Sequence, residues 1–269
     1  MVNGIYVIDA HCHIYPEKIA ERAAQGTSAF YDGAPISGKG TTADLRAQSA
    51  AAGVDHCIVQ SVATTPKQVK SINEFIAAEV KGGDGFFTGL GTMHPESEDL
   101  RGDFEHLIEL GLKGIKMHPD IQRFCIDDPR CMKIYEMCDG AGIPVLLHTG
   151  DNRYDFSNTN RLLPTVKAFP NLTFIGAHFG GWSVWDAASR VMAGTDNFYV
   201  DCSSSMPWIG ADKAFELVRR YGAERVLFGT DYPMWSPRSE LDTFLSLPLD
   251  ENEFRSILNM NAKKLFCLE

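Results

Sequence analysis

Short runs of β-branched and other apolar residues recur along the whole chain, each followed by a segment whose apolar positions repeat with helical spacing. The runs are IYVID (5–9), HCIVQS (56–61), FFTGLGTM (86–93), KGIKM (113–117), IPVLLH (143–148), LTFIGAH (172–178), NFYVD (197–201) and RVLFGTD (225–231). Between them, TTADLRAQSAAAG predicts a helix capped by Thr41 or Thr42 and stopped by Gly53. DDPRCMKIYEMCDGAG repeats the device, with Asp128 at the N-cap, Pro129 at the first helical position and Gly142 at the exit. The other helical patterns are PKQVKSINEFIAAEVKG, the stretch around EHLIEL, TNRLLPTVKAF, SVWDAASRVM, DKAFELVRRYG and ENEFRSILNMNAKKLF. Eight strands alternating with helices over 269 residues predict one domain, residues 1–269, with the α/β architecture of a (β/α)8 TIM barrel. An open doubly wound sheet is the rival, but it calls for GxGxxG after the first strand, where this chain carries HCH. The stretch from Ile14 to Gly40, with Gly26, Gly33, Pro35, Gly38 and Gly40, lacks periodicity and is expected to form a loop over the barrel mouth.

Charge narrows the choice of partner. Against 35 acidic residues stand 25 lysines and arginines, a formal net charge of −10, so the basic excess that binds phosphate backbones or anionic lipid is missing. Neither nucleic acid nor a membrane is expected as a partner; a small molecule is. Seven cysteines, odd in number and without a CxxC pair, read as reduced thiols of a cytoplasmic protein. MVNGIYVIDAH has neither the basic start nor the long apolar core of a leader, and no stretch is apolar enough to span a bilayer. A homodimer is the expectation for a soluble enzyme of this size.

The histidines carry the chemistry. Six of the eight follow a strand run closely: His11, His13, His94, His118, His148 and His178. In a barrel the carboxyl ends of all strands converge on one face, so these imidazoles gather at one mouth. His56, at the start of a strand, and His106, in a helical pattern, read as structural. Residues i and i+2 of a strand share a side, so His11 and His13 face one ion while Cys12 meets the wall, and Asp9 shares their inward phase. His148 offers a third nitrogen and Asp231 a carboxylate. Three nitrogens, one oxygen and an open position suit a divalent ion, zinc before others, that keeps a bound water. The free oxygen of Asp231 is placed to take that water's proton.

HxH alone is a weak motif; its weight comes from the residues at the other strand ends. His178, with glycines on either side in GAHFGG, reads as an active-site histidine with open space around its ring. His94 and His118 each precede proline and serve equally well as loop-shaping residues. Lys116, two residues before His118, faces inward, either as a carbamylated bridge between two ions or, in preference, paired with an acidic residue. Trp182, Trp208 and Trp235 follow strand ends and either wall an aromatic pocket or pack under helices. Arg123 and Arg153 are candidate clamps for a substrate carboxylate, as is Arg238, against a plain surface role. Cys202 has no assigned base and is not read as a nucleophile.

IDAHCH, GIKMHP, IPVLLHTGD, FPNLTFIGAHFGGW, LFGTDYP and the closing ILNMNAKKLF together resemble the amidohydrolase-related family of the amidohydrolase superfamily, metal-dependent barrel hydrolases and decarboxylases. The resemblance covers nearly the whole chain. It implies that His11, His13, His148 and Asp231 stand at metal-ligand positions and that His178 matches the strand-six histidine that acts on substrate. It implies one divalent ion, commonly Zn(II), sometimes Mn(II), and places Lys116 on the strand where other branches carry a carbamylated lysine. The expected reaction is hydrolysis of a C–N or C–O bond in an amide, lactone or ester of a small carboxylated molecule. Asp231 is its general base and His178 stabilises charge on the carbonyl oxygen. Decarboxylation of a small carboxylic acid is the alternative, ranked second because the chain is more compact than the larger decarboxylase members. A non-catalytic metal-binding barrel ranks third, since ligands and proton-transfer residues are all retained.

Overall fold

In the computed structural model, which describes residues 1–2 and 4–269, the apolar runs become the staves of a closed parallel barrel. They are β1 (Ile8–His13), β2 (His56–Gln60), β3 (Phe87–Gly89), β4 (Gly91–Thr92), β5 (Ile115–Met117), β6 (Val145–Leu147), β7 (Phe174–Gly176), β8 (Phe198–Asp201) and β9 (Val226–Leu227). β3 and β4 are two halves of one stave, bent at Leu90. They pair on one side through Leu90 N–H to Val59 O and on the other through Gly91 N–H to Gly114 O, both 2.9 Å. That leaves eight staves, each paired in parallel with its neighbour in chain order. The ring closes where Ala10 N–H reaches Phe228 O at 2.8 Å and Asp231 N–H reaches His11 O at 2.8 Å.

Both faces of each stave are covered, which is why the runs read as continuously apolar rather than alternating. Inside, Ile8, Ala10, Ile58, Leu90, Leu146, Ile175, Tyr199 and Leu227 fill the lower barrel. Ala262 and Phe266 of the terminal helix plug its floor. Outward residues such as Cys57, Val59, Met117, Leu147 and Val200 pack under the helices. These are α1 (Glu17–Phe30), α2 (Thr42–Ala52), α3 (Val69–Gly82), α4 (Leu100–Glu109), α5 (Pro119–Gln122) and α6 (Pro129–Ala141). They continue with α7 (Thr159–Ala168), α8 (Trp185–Met192), α9 (Met206–Tyr221), α10 (Pro237–Leu245), α11 (Glu251–Arg255) and α12 (Asn261–Phe266). The expected caps are in place. Thr41 accepts from Asp44 N–H, Asp128 accepts from Arg130 N–H, and Gly53 and Gly142 close their helices in the left-handed region.

Besides the one-turn α5, two helices depart from the sequence reading. The stretch expected to be an open loop over the mouth holds α1, fourteen residues long, whose buried face consists of Ala20 and Ala24. A two-alanine face is too small to register as hydrophobic periodicity, and the larger apolar residues of α1, Ile19 and Phe30, look into the mouth cavity instead. α10, which follows the last stave, buries Leu241 and Phe244 but begins with the polar PRSE, and no helical pattern was expected there.

Candidate metal centre and active site

The site begins at an irregularity in β1. Ile8 pairs with His56 and Asp9 with Cys57, but Cys12 pairs with Val59, so Ala10 and His11 together face Ile58. Such a bulge reverses the side-chain phase. Ile8 and Ala10 point into the barrel below it, and His11 and His13 point into the mouth above it. Asp9, expected to share the phase of the histidines, lies on the other side. Its carboxylate accepts Thr230 Oγ–H at 2.6 Å, Thr230 N–H at 3.0 Å and His11 N–H at 3.1 Å, tying β1 to the end of β9. Gly229 makes this tie possible, since a β-carbon there would stand 2.9 Å from that of His11.

Above the bulge, three donor atoms form a near-equilateral triangle. His11 Nε2 and His13 Nε2 are 3.2 Å apart, and Asp231 Oδ1 stands 3.3 Å from the first and 3.4 Å from the second. His11 is oriented by a residue that the sequence reading passed over. Asp201, the last residue of β8, accepts His11 Nδ1–H at 2.8 Å, which leaves the Nε2 lone pair facing the triangle. The other oxygen of Asp201 accepts the backbone N–H of His178 at 3.1 Å and the Ser203 hydroxyl at 2.5 Å. A carboxylate ending a strand run was the available signal; the same feature had singled out Asp231. Ser204 donates to Asp231 Oδ2 at 2.6 Å and accepts Trp235 Nε1–H at 2.7 Å.

Backbone strain collects at these positions. His178, Asp231 and Ser204 have φ of 60°, 61° and 48°. Left-handed backbone at non-glycine residues costs on the order of 1–3 kcal/mol each and persists where the surroundings impose it. Here the imposing groups are Asp201 on His178 N–H and His11 O on Asp231 N–H.

Burial sets the protonation states. It pushes His11, His13, His118 and His148 far below the usual histidine range, helped by Lys116 or by one another, and takes His178 down to about 3. All five are neutral at pH 7. Burial raises Asp231 to about 7, against the lowering effects of the Ser204 hydrogen bond and the Lys116 charge. Lys116 is itself lowered to about 8 by burial. It was expected to pair with an acidic residue, but its closest partner is His11, with Nζ 3.3 Å from Nε2.

His148 is not in the triangle. Its ring stacks on His118 with centroids 3.9 Å apart, and its Nδ1 is 3.1 Å from His178 Nε2. Tyr31 completes this second group, its hydroxyl 2.8 Å from His118 Nε2. His94 accepts Glu96 N–H at 3.2 Å and shapes its loop. His56, on the second stave, bridges Gly85 O in the turn before the third stave and Thr88 Oγ1 on it, a structural role.

The triangle and the second group lie at the base of a mouth cavity of about 580 Å³. Trp182, Trp208 and Trp235 all line it, together with Tyr31 and Phe30. Trp182 lies against Tyr31 and Trp208 against Trp235, edge to face with centroids 4.7 and 6.1 Å apart. Of the three arginines considered as substrate clamps, none lines the cavity, and Arg238 donates to Ala51 O instead. Arg123 is exposed in the left-handed turn that ends α5. Arg153 is held by both oxygens of Asp151 and donates to Phe30 O at 2.7 Å. Among the described residues, the lysines and arginines that line the cavity are Lys116, at its base, and Arg22, on α1.

A family model described as amidohydrolase matches residues 8–268. The chain belongs to the amidohydrolase family. No curated protein matches it in sequence. An uncharacterised TIM-barrel protein from Bordetella bronchiseptica superposes with a TM-score of 0.81 at 20% identity, over 98% of this chain and 99% of that one. 5-Carboxyvanillate decarboxylase from Sphingomonas paucimobilis gives 0.74 at 14%, over 99% and 100%. A dihydroxybenzoic acid decarboxylase from a Polaromonas species, solved with bound manganese and 2-nitroresorcinol, gives 0.74 at 16%, over 98% and 97%. At these identities the likeness is one of fold.

An amidohydrolase chain implies a divalent ion, and the triangle fits one. Ligand atoms ~2.0–2.2 Å from a tetrahedral ion stand roughly 3.3–3.6 Å apart, against the 3.2, 3.3 and 3.4 Å found here. Two neutral imidazoles and one carboxylate are also a borderline donor set that accepts zinc or manganese.

Proposed function

We propose that the chain is a metal-dependent decarboxylase of a small hydroxylated aromatic carboxylic acid. The observation that carries this reading is the aromatic wall, Tyr31, Trp182, Trp208 and Trp235, standing around a cavity whose base holds the ligand triangle. Flat apolar walls with a few converging polar groups suit a planar ring bearing oxygens. The similarly folded decarboxylases of carboxyvanillate and dihydroxybenzoate support it. It reverses the order of the sequence reading, in which compactness placed hydrolysis first. Helix α1, hidden from the hydrophobic pattern, supplies part of the enclosing wall.

In this reading His11, His13 and Asp231 hold a divalent ion, manganese or zinc, with His148 as the proposed fourth ligand. When bound, the ion supplies positive charge against the substrate's carboxylate and phenolic oxygens. Lys116 takes the clamp role considered for Arg123, Arg153 and Arg238, as the cation at the base of the cavity. Asp231 delivers a proton to the ring carbon that bears the carboxylate. The bond from that carbon to the carboxylate then breaks, its electron pair returns to the ring, and carbon dioxide leaves. One proton is consumed per turnover. Neutral His178 orders the substrate through hydrogen bonding, and the tryptophans keep water from the reacting carbon.

Hydrolysis is the second reading, favoured by the same Asp231 carboxyl, which in its ionised form accepts a proton from attacking water. Turnover of dihydroxybenzoates and 5-carboxyvanillate by manganese-loaded protein, with carbon dioxide trapped stoichiometrically, is the expected result. Turnover of amides or lactones with oxygen from labelled water in the product, and no carbon dioxide from the acids, would overturn the reading.

A further inference from the structure

The mouth cavity is larger than the site at its base requires. Its volume of about 580 Å³ falls in the range of pockets that enclose drug-sized ligands, and a single hydroxylated ring fills only part of it. The remainder lies between α1 and α3. Ile19, Arg22 and Gly26 line it from α1, and Ser71, Ile72 and Phe75 line it from α3. On each helix these residues stand three or four positions apart, so each helix turns one continuous face to the gap. The opposite face of α1, Ala20 and Ala24, is the one buried in the protein. The polar side chains of α1 bond within the helix or to the segment after it: Gln25 to Glu21, Thr27 to Ala23 O, and Ser28 to Ala34 O. None of these bonds ties α1 to α3.

The gap differs in chemistry from the base of the cavity. Ile19, Ile72 and Phe75 make it apolar, and a β-carbon on Gly26 would meet no neighbouring atom within 4 Å. Glycine is a poor helix residue, and at this position its missing side chain leaves the gap open. Arg22 stands on the same face, exposed. Among the described residues it has no acidic partner, whereas Arg153 is held by Asp151 and Arg161 by Asp127. An apolar trough with one free guanidinium at its edge fits an apolar chain that ends in a carboxylate. The net charge of −10 gives such an anion few other places to bind. Continuity with the cavity above the ligand triangle makes the gap part of the substrate's own site rather than a surface for a partner protein.

We propose that the gap between α1 and α3 is a second substrate subsite. The acid that reacts at the base carries an apolar substituent that lies along Ile19, Gly26, Ile72 and Phe75 and ends in a carboxylate held by Arg22. The identity of the reacting ring rests on the decarboxylase reading; the subsite itself does not.

The test is isothermal titration of full-length, manganese-loaded protein with resorcinol, 4-hexylresorcinol and decanedioate. The last has no ring, but offers one carboxylate to the base, a chain to the gap and a second carboxylate to Arg22. The hexyl chain is expected to tighten binding at least tenfold over resorcinol, since each fully buried methylene contributes roughly fourfold and the gap is open on one side. Gly26→Leu fills the gap with a residue that favours helix more than glycine does, so the fold is kept. It removes the gain from the hexyl chain and weakens decanedioate tenfold or more. Arg22→Met keeps an apolar stem without the charge and weakens decanedioate about two- to fivefold, the scale of an exposed ion pair, with the neutral hexyl probe as control. Failure of resorcinol to bind would count against the aromatic reading alone, and decanedioate then still reports on the gap. Wild-type affinity for decanedioate in Gly26→Leu, no detectable decanedioate binding in the wild type, or a hexyl chain that adds nothing to a ring that binds would overturn the subsite. Unchanged decanedioate affinity in Arg22→Met would overturn the carboxylate assignment.

Discussion

Replacing Asp201 with asparagine changes almost no volume, yet every group around this side chain is a donor. One oxygen accepts His11 Nδ1–H at 2.8 Å, and the other accepts His178 N–H and Ser203 N–H, each at 3.1 Å, and Ser203 Oγ–H at 2.5 Å. Asparagine has a single acceptor oxygen, so its NH2 faces donors in either orientation. Turned toward His11, it forces the ring to accept at Nδ1 and to carry its proton on Nε2, the atom in the ligand triangle. Loss of an orienting partner of this kind weakens metal binding about 10–100-fold, or about 1.4–2.7 kcal/mol. Turned toward the backbone, it strips the strained His178 turn of charge-assisted hydrogen bonds worth about 1.5–3 kcal/mol each. Calorimetric titration with Mn(II) or Zn(II), paired with thermal unfolding of metal-free protein, separates the two. The first orientation raises Kd with little change in Tm, whereas the second lowers Tm by several degrees. A folded Asp201→Asn protein with wild-type Kd and wild-type Tm would refute the argument that Asp201 governs the site.

Ligand assignment is tested by substitution: His13→Ala removes a corner of the triangle and abolishes stoichiometric metal, while His148→Ala weakens binding less, as measured by elemental analysis after gel filtration. Equal loss in both variants would place His148 in the triangle's company. Glu240 on α10 is buried with Oε2 unpartnered, and burial raises its pKa from 4.5 to about 8. The folded state keeps this proton longer than the unfolded chain, so stability is highest below pH ~4.5 and falls as pH rises toward ~8, by roughly 3–5 kcal/mol in all. Glu240→Gln should flatten the decline in Tm between pH 5 and pH 8, and an unchanged slope would remove Glu240 as its cause. Trp182→Ala opens the aromatic wall and is expected to raise KM for aromatic acids by about tenfold, the scale of one aromatic contact, with kcat within a factor of a few in steady-state assays.

The barrel was legible because each stave is buried on both faces and each helix between staves carries a cap or a periodic apolar stripe. α1 was not, since its buried face is two alanines and its larger residues face the cavity. The bulge in β1 was also hidden. Alternation put Asp9 in phase with His11, and only the pairing of Cys12 with Val59 shows that the phase reverses between them. His11, His13 and Asp231 could be grouped from strand ends because barrel topology brings strand ends together. The same logic applied to Asp201, the carboxylate that ends the NFYVD run, but it went unnoticed. The roles of Arg153 and Tyr31 were beyond sequence reasoning. Arg153 is defined by Phe30 O, 123 residues away, and Tyr31 by His118, 87 residues away.

The account turns on a proton that enters the substrate ring as carbon dioxide leaves, and the most direct test is turnover of a dihydroxybenzoate by manganese-loaded protein in D2O. The account predicts one equivalent of carbon dioxide and one deuterium on the carbon that bore the carboxylate, both lost when His13 is replaced by alanine. A product that keeps all its carbon and gains oxygen from labelled water would contradict it.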